Sequence, residues 1–326
     1  MRPTFIPRYF FGGSWIAFGA VAFMCVSATV LRGATPAATG TPPGAPRAAI
    51  KSFATPQQAA DALVVAAERF DVAALGELFG PAIDDIILTG EPAQGRQRAS
   101  DFVAKVREKQ SISLDKKKAR AFLLVGNEDW PFPIPIVKRA GRWSFDAAAG
   151  RQELLYRRIG ANELDAITIC RGYVEAQEEY ALQGRNRHGV NQYAQQIIST
   201  PGKQDGLAWQ NPDGTWGGPI GEPIARAIAQ GYSKGDPYHG YVFKILTGQG
   251  PAAPLGQLDY VVKGVMIGGF ALVAAPAEYG VTGVQTFIVS NDGVVYQKDL
   301  GPATREQFAK MERFNPDRSW TPVQEE

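Results

Sequence analysis

Histidine and cysteine are scarce in this sequence of 326 residues, which contains two of each. Cys25 lies in an apolar N-terminal stretch, so Cys170 is the only cysteine left for the folded part. A zinc site of the Cys/His type needs four such ligands, and a disulfide needs a second cysteine. The scarcity argues against a disulfide framework, a zinc finger and a CxxC redox motif, and we predict no metal and no cofactor.

The sequence also has no large excess of charge of either sign, since the formal net charge is +2. Hydrophobic residues make up 45% of the chain. This composition is typical of a globular protein rather than a disordered or polycationic chain. The length suggests two domains, at about 100–200 residues each. Since aromatic side chains do not interleave with the basic ones, we predict no nucleic-acid partner.

The first 33 residues predict a signal peptide or a membrane anchor. Arg2 and Arg8 precede an uncharged apolar run over residues 10–31. This arrangement is typical of export signals. Cleavage after Ala28 would remove it, whereas the intact run has the roughly 20 residues that span a bilayer. Both alternatives deliver the remaining chain to the periplasm, either free or anchored to the inner membrane. Residues 34–50 are rich in Ala, Pro and Thr and predict a flexible linker.

Residues 51–149 predict a small α+β domain. Thr55, Pro56 and Gln58 have the pattern of a capped helix start, and Asp71 can cap a second helix. A third helix is predicted over 99–109, followed by strands over 121–125, 134–138 and 142–146, of which the last two form a hairpin. This order is similar to the cone-like domains of the nuclear-transport-factor-2-like (cystatin-like) kind.

Residues 150–326 predict a second α+β domain with a long helix and an antiparallel sheet of four or five strands. Asn162 and Asp165 suggest a capping box within the helical region up to residue 181, and Leu164 falls on its apolar face. We predict a long loop over 184–222, a short helix over 223–231, strand pairs 260–265 with 269–275 and 286–290 with 294–298, and a final helix over 302–314.

His239 is the candidate general base, with Asp236 or Asp259 to orient it and Tyr241 close by in sequence. The alternative is a turn histidine packed among aromatic residues, which we favour because no Ser or Cys nucleophile motif accompanies it. His188 is interpreted as a solvated loop residue.

The stretch from Arg96 to Arg120 contains nine basic and three acidic residues. Such a patch can contact anionic lipid headgroups or cell-wall polymers, and a solvated helix face is the alternative. Its candidate contact residues are Lys105, Lys109, Lys116, Lys117 and Lys118. In the same domain, Trp130, Phe132 and Trp143 are candidates for lining a small-molecule pocket.

Five segments carry a resemblance to a known family: 130–135, 141–146, 157–164, 237–241 and 293–301, which include WPFPIP, GRWSFD and PYHGY. Together they resemble the exported bacterial family catalogued as domain of unknown function 2950, over most of residues 52–322. The resemblance implies export, and it assigns no role to any residue.

A second resemblance covers the C-terminal half, through residues 176–180, 240–243 and 274–287. These segments are similar to the globular part of type II secretion pseudopilins, which implies a pilin-like helix-plus-sheet fold. The sequence has no Gly-Phe-Thr-Leu-Ile-Glu processing site, which argues against filament assembly.

These observations predict an exported cell-envelope protein that acts as a non-enzymatic binding or interaction module. Its expected partner is an envelope protein or a cell-wall or lipid component. Two alternatives remain open: an envelope hydrolase or small-ligand enzyme with a cleft near His239, and a small-molecule binder that uses the first domain.

Overall fold

A computed structural model of the chain describes residues 50–80, 92–183, 191–220 and 237–324. They form two compact units that divide between Glu153 and Leu154, and each unit has its own hydrophobic core. The α+β class is confirmed, since both units combine helices with antiparallel sheets. The predicted signal or anchor, all but the last residue of the linker, and the predicted helix over 223–231 lie outside the described residues. Among the described residues, no helix is both long and apolar enough to cross a membrane.

Three helices open the first unit: α1 (Pro56–Glu68), α2 (Val72–Phe79) and α3 (Pro92–Glu108). The predicted caps are confirmed. Thr55 Oγ1 accepts from the Gln58 backbone N–H at 3.2 Å, and Asp71 Oδ1 accepts from that of Ala74 at 3.0 Å. The Gln58 side chain accepts in return from the Ala54 N–H at 3.1 Å. These two reciprocal hydrogen bonds stabilise the first turn of α1. Helix α3 begins earlier than the predicted residue 99.

An antiparallel sheet completes the first unit. Its strands are β1 (Gln110–Leu114), β2 (Arg120–Val125), β3 (Trp130–Pro131), β4 (Ile136–Arg139) and β5 (Arg142–Phe145). The order is β1-β2-β4-β5, with β3 paired to β2. Ala140 and Gly141 have φ values of 49° and 79°, which suits the two-residue turn of the predicted hairpin between β4 and β5. Strand β1 was not predicted from the sequence.

Helix α4 (Ala147–Leu182) is continuous over 36 residues. The predicted capping box at Asn162 and Asp165 is therefore wrong, because both residues lie inside the helix and bond to other elements. Leu164 is 66% exposed, contrary to its predicted place on the apolar face, whereas Cys170 and Val174 are buried in the core of the second unit.

Among the described residues after α4, several separate sheets are formed by short and long strands. They are β6 (Gln196–Ile198), β7 (Gly206–Gln210), β8 (Trp216–Gly217), β9 (Tyr241–Leu246), β10 (Gly248–Gln249), β11 (Leu258–Asp259), β12 (Val261–Val262), β13 (Val265–Met266), β14 (Ala271–Pro276), β15 (Gln285–Ser290), β16 (Tyr296–Asp299), β17 (Arg313–Phe314) and β18 (Thr321–Pro322). The main sheet has the order β18-β16-β15-β14-β9, which confirms the predicted antiparallel sheet. The pairing of β15 with β16 confirms one predicted hairpin.

Three predictions for this unit are wrong. The predicted loop contains β6, β7 and β8, in which Trp209 is buried. Strand β14 pairs with β9 and β15, whereas β12 pairs with its neighbour β13. The final helix is shorter than predicted, since α5 (Thr304–Lys310) is followed by β17. In each case tertiary pairing determined the outcome over local sequence pattern.

Candidate functional site

His239 lies in a tight turn that leads into β9. The backbones of Tyr238 and Tyr241 bond to each other in both directions, at 2.8 and 2.9 Å. His239 and Gly240 have φ values of 48° and 74°, so both central residues adopt the left-handed conformation of a type I′ turn. The imidazole side chain is 46% exposed, and its ring lies 4.3 Å from that of Tyr238. The turn thus presents His239 at the surface of the second unit.

Asp165 is the carboxylate that orients His239. Its Oδ2 contacts Nδ1 of the imidazole from the middle of α4. Because an ionised carboxylate can only accept, Nδ1 is the donor in this pair. Of the two predicted orienting residues, Asp259 instead pairs with Arg313 at 2.6 Å, and Asp236 lies outside the described residues. Asp165 was not predicted from the sequence, because it lies 74 positions from His239.

Two further α4 residues bind the chain between β14 and β15. Asn162 Nδ2 donates to the Thr282 carbonyl at 2.8 Å. Glu163 Oε1 accepts from the backbone N–H groups of Val284 and Gln285, at 2.9 and 3.0 Å. We call Asn162, Glu163, Asp165 and His239 the polar junction. It joins about one turn of α4 to the turn at His239 and to the chain that leads into β15.

Tyr241 is a structural group of this region rather than an acid or base. Its side chain is buried, and its hydroxyl donates to the Gln285 carbonyl at 2.8 Å. Burial, followed by the nearby Glu163 charge, strongly raises the pKa of Tyr241. Burial also raises the pKa of Tyr238, with a smaller contribution from Asp165. Cys170 is no thiolate nucleophile at neutral pH, since burial raises its pKa to about 12.

Carboxylates of the first unit neutralise part of the basic stretch. Lys105 pairs with Glu108 at 3.1 Å, and Arg107 pairs with Glu68 at 3.0 Å. Lys109 pairs with Asp129 at 2.7 Å. Two of the five predicted contact lysines, Lys105 and Lys109, therefore face carboxylates of the same unit.

The remaining three, Lys116, Lys117 and Lys118, form what we call the basic hairpin tip, at the turn between β1 and β2. All three are exposed, and none forms an ion pair with an acidic residue in the described ranges. Asp115 Oδ1 instead accepts from the Arg120 and Ala119 backbone N–H groups, at 3.0 and 2.8 Å. These bonds, Arg120 foremost, lower the pKa of Asp115. Its carboxylate thus fixes the turn that displays the lysines.

The three aromatic candidates lie in or against the core of the first unit. Trp143 is buried, and Trp130 and Phe132 are half-buried against the same cluster. The Phe132 ring packs on Phe102, with centroids 5.2 Å apart. These rings therefore fill space that a ligand would need.

Within the described ranges, no group of three or more His, Cys, Asp or Glu side chains is arranged to hold a metal ion. His188 lies outside those ranges.

The family described as Protein of unknown function (DUF2950) matches residues 50–323. The chain belongs to this family. No curated protein and no solved structure matches the chain. The DUF2950 match includes both units, and it therefore covers the polar junction and the basic hairpin tip.

Proposed function

We propose that this DUF2950 protein is an exported, non-enzymatic binding module of the cell envelope, and that the basic hairpin tip contacts an anionic bilayer surface. The observation that carries the proposal is the contrast within one basic stretch. Lys105 and Lys109 form ion pairs with carboxylates, whereas Lys116, Lys117 and Lys118 are exposed and form no ion pair within the described ranges. Unpaired cations on a fixed turn are free to meet an anionic surface.

The number of basic residues at the hairpin tip, and their position on one turn, support a contact with an anionic bilayer. Each Lys or Arg held near an anionic bilayer contributes about 1 kcal/mol to binding. Three lysines on one turn, with exposed Arg120 beside them, therefore supply a few kcal/mol. The membrane-anchor alternative for residues 10–31 supports a bilayer as the partner, because an uncleaved segment would keep the chain at the inner membrane. A cell-wall polymer or an envelope protein is the competing partner.

The test measures the acylation rate of each lysine of the full chain by mass spectrometry. One sample contains vesicles of mixed anionic and zwitterionic lipid, and the other contains vesicles of zwitterionic lipid alone. We expect slower acylation of Lys116–Lys118 with anionic vesicles only. Lys203 and Lys263, exposed in the second unit, are internal controls and should react equally in both. Equal rates at the tip with both vesicles, or protection only by a soluble phosphate-bearing polymer, would overturn the bilayer assignment.

A hydrolase is the second candidate, favoured by the contact between Asp165 and Nδ1 of a half-exposed His239. An imidazole oriented through Nδ1 can activate water through Nε2. The test is hydrolysis of a nitrophenyl ester by the full chain. This candidate requires turnover that falls about 100-fold or more in both His239→Gln and Asp165→Asn, and that persists in the control Asp259→Asn. Undetectable turnover, or turnover indifferent to His239→Gln, refutes it.

Three finer assignments belong to the same proposal. The order of three helices followed by antiparallel strands supports a nuclear-transport-factor-2-like fold for the first unit. A long helix followed by an antiparallel sheet supports a pilin-like fold for the second. Small-molecule binding near Trp130, Phe132 and Trp143 has the weakest support, because Trp143 is only 6% exposed and a ligand would have to displace packed rings.

A further inference from the structure

Strand β1 forms an open edge of the sheet in the first unit. It pairs with β2 on one side, and among the described residues no strand pairs with its other side. At the opposite end of the sheet, β5 is extended by an isolated bridge between Trp143 and Phe53. Strand β1 has no such bridge within the described ranges. One side of a five-residue strand is therefore left unpaired.

Hydrogen bonds just beyond both ends of β1 show which of its residues face β2. The Asp115 N–H donates to the Arg120 carbonyl at 2.9 Å, and the Gly126 N–H donates to the Lys109 carbonyl at 2.9 Å. Because residues bonded to a neighbour alternate along an antiparallel strand, the odd-numbered residues face β2. The even-numbered residues direct their N–H and carbonyl groups to the open side, where these groups have no partner in the described ranges. We call them the outward residues: Gln110, Ile112 and Leu114.

This edge lacks the features that keep edge strands unpaired. Natural proteins place lysine, proline or a bulge on an edge that must not pair. Residues 110–114 contain no charged residue and no proline, and their register with β2 is continuous, without a bulge. Leu114 adds an apolar side chain that is 47% exposed. The open side of β1 is therefore suited to the addition of another strand.

We propose that β1 pairs in antiparallel fashion with β1 of a second copy of this chain, about a twofold axis at Ile112. In this register Ile112 lies opposite its own counterpart, and Gln110 lies opposite Leu114 of the second copy. All outward residues of both copies then face one another, so the pairing forms about six hydrogen bonds. An axis at Ser111 or Ser113 would allow only about four within the two strands. The axis at Ile112 therefore satisfies the open edge best.

The charges that flank β1 favour a second copy as the added strand. Lys109 precedes the strand and Asp115 follows it, so the same register places Asp115 of each copy opposite Lys109 of the other. Opposite charges across a strand pair stabilise it, whereas the like charges of a parallel, in-register copy would destabilise it. Asp115 Oδ1 accepts from its own turn, but its Oδ2 has no partner among the described residues. The basic hairpin tip lies beyond the paired residues, so this inference goes beyond the bilayer contact and does not depend on it.

The first experiment is sedimentation velocity of the full chain in detergent over a wide range of concentration. Leu114→Pro removes an N–H on the open side and keeps the hydrogen bonds between β1 and β2, so its unfolding by urea should stay close to that of the wild type. The matched control Leu114→Met keeps the N–H. We expect the wild type and Leu114→Met to dimerise. The dissociation constant of Leu114→Pro should rise about 25-fold, because each dimer loses two hydrogen bonds worth about fivefold each.

Disulfide cross-linking with oxidised glutathione tests the register, in full chains that also carry Cys25→Ser. With the axis at Ile112, the two Cα atoms of this residue lie about 5.5 Å apart, within reach of a disulfide. Those of Ser113 lie about 8 Å apart, beyond that reach. We therefore expect Ile112→Cys to form a covalent dimer and the control Ser113→Cys to stay monomeric under denaturing conditions.

Four results would overturn the proposal. The first is a monomeric wild type at every concentration, and the second is an unchanged dissociation constant in Leu114→Pro. The third is cross-linking of Ile112→Cys that does not exceed that of Ser113→Cys. The fourth is association of β1 that appears only with an added peptide or another protein, because the added strand would then not be a second copy.

Discussion

Glu163 offers the sharpest test of how helix α4 is joined to the sheet of the second unit. One carboxylate oxygen accepts from two backbone N–H groups, those of Val284 and Gln285, at 2.9 and 3.0 Å. In Glu163→Ala both donors lose their partner. An unsatisfied donor costs about 1–3 kcal/mol when buried. Since these bonds are part-buried and water can replace some of the loss, we expect a total cost of about 2–4 kcal/mol.

The conservative variant separates the hydrogen bonds from the charge. Glu163→Gln keeps an oxygen acceptor at the same position but loses the charge assistance, so its cost should be about 1 kcal/mol. Glu175→Ala is the control, because Glu175 is an exposed residue of the same helix; its cost should stay within about 0.5 kcal/mol.

The assay is urea unfolding of the full chain, combined with hydrogen exchange measured on peptides that cover residues 278–290. Glu163→Ala should accelerate exchange at Val284 and Gln285 more than at residues 286–290 of β15, because the acceptor of these two amides is gone. Equal costs for Glu163→Ala and Glu163→Gln would refute the hydrogen-bond argument. So would unchanged exchange at these two amides.

Two further predictions concern the second unit. Burial raises the pKa of Tyr260 to about 12, so the folded state favours the neutral phenol. The stabilisation from the neutral Tyr260 phenol should be complete below the unfolded tyrosine pKa near 10. It should be lost as the pH rises towards about 12, by up to about 1.4 kcal/mol per pH unit. Urea unfolding between pH 9 and about 11.5 checks this sign, and Tyr260→Phe should flatten the decline. Gly240→Ala should cost about 2 kcal/mol or more, because a Cβ atom there would lie 2.5 Å from Asn162 Nδ2 in a residue with a φ of 74°. The control Gly264→Ala has a similar φ of 81° with open space around it and should cost only about 1 kcal/mol, and equal costs would contradict the role given to the close contact.

Local features of the fold were predictable from sequence because their physics lies within a few residues. Thr55 and Asp71 cap helices through N–H groups three positions away. The turn at Ala140 and Gly141 follows from conformational preferences of the same kind. Strand β4 begins at Ile136, two residues later than predicted, because Pro135 has no N–H to donate to a ladder.

Features that depend on distant pairing were not predictable in this way. Asn162 and Asp165 have the spacing of a helix start, yet their side chains bond to residues 120 and 74 positions away, and α4 runs through them. The separation of 74 positions also explains why Asp165 was not predicted as the partner of His239. Strand β14 pairs with β9 and β15 rather than with the hairpin next to it, since its fully buried pattern fits a central position in the sheet.

The basic stretch was located from the sequence, because charge can be read directly from residue type. Its division into lysines with and without ion pairs required the fold, since the acidic partner of Lys109 lies 20 positions away.

The most direct test of the central claim is the salt dependence of acylation at Lys117 in the full chain with anionic vesicles, relative to Lys263 in the same sample. A contact made by unpaired surface lysines should protect Lys117 at low salt. The protection should disappear towards 1 M salt, where the screening length falls from about 10 Å at 0.1 M to about 3 Å. Protection of Lys117 that persists at about 1 M salt would contradict an electrostatic contact between the basic hairpin tip and the bilayer. The same holds if anionic lipid at low salt leaves the ratio of the Lys117 and Lys263 acylation rates unchanged.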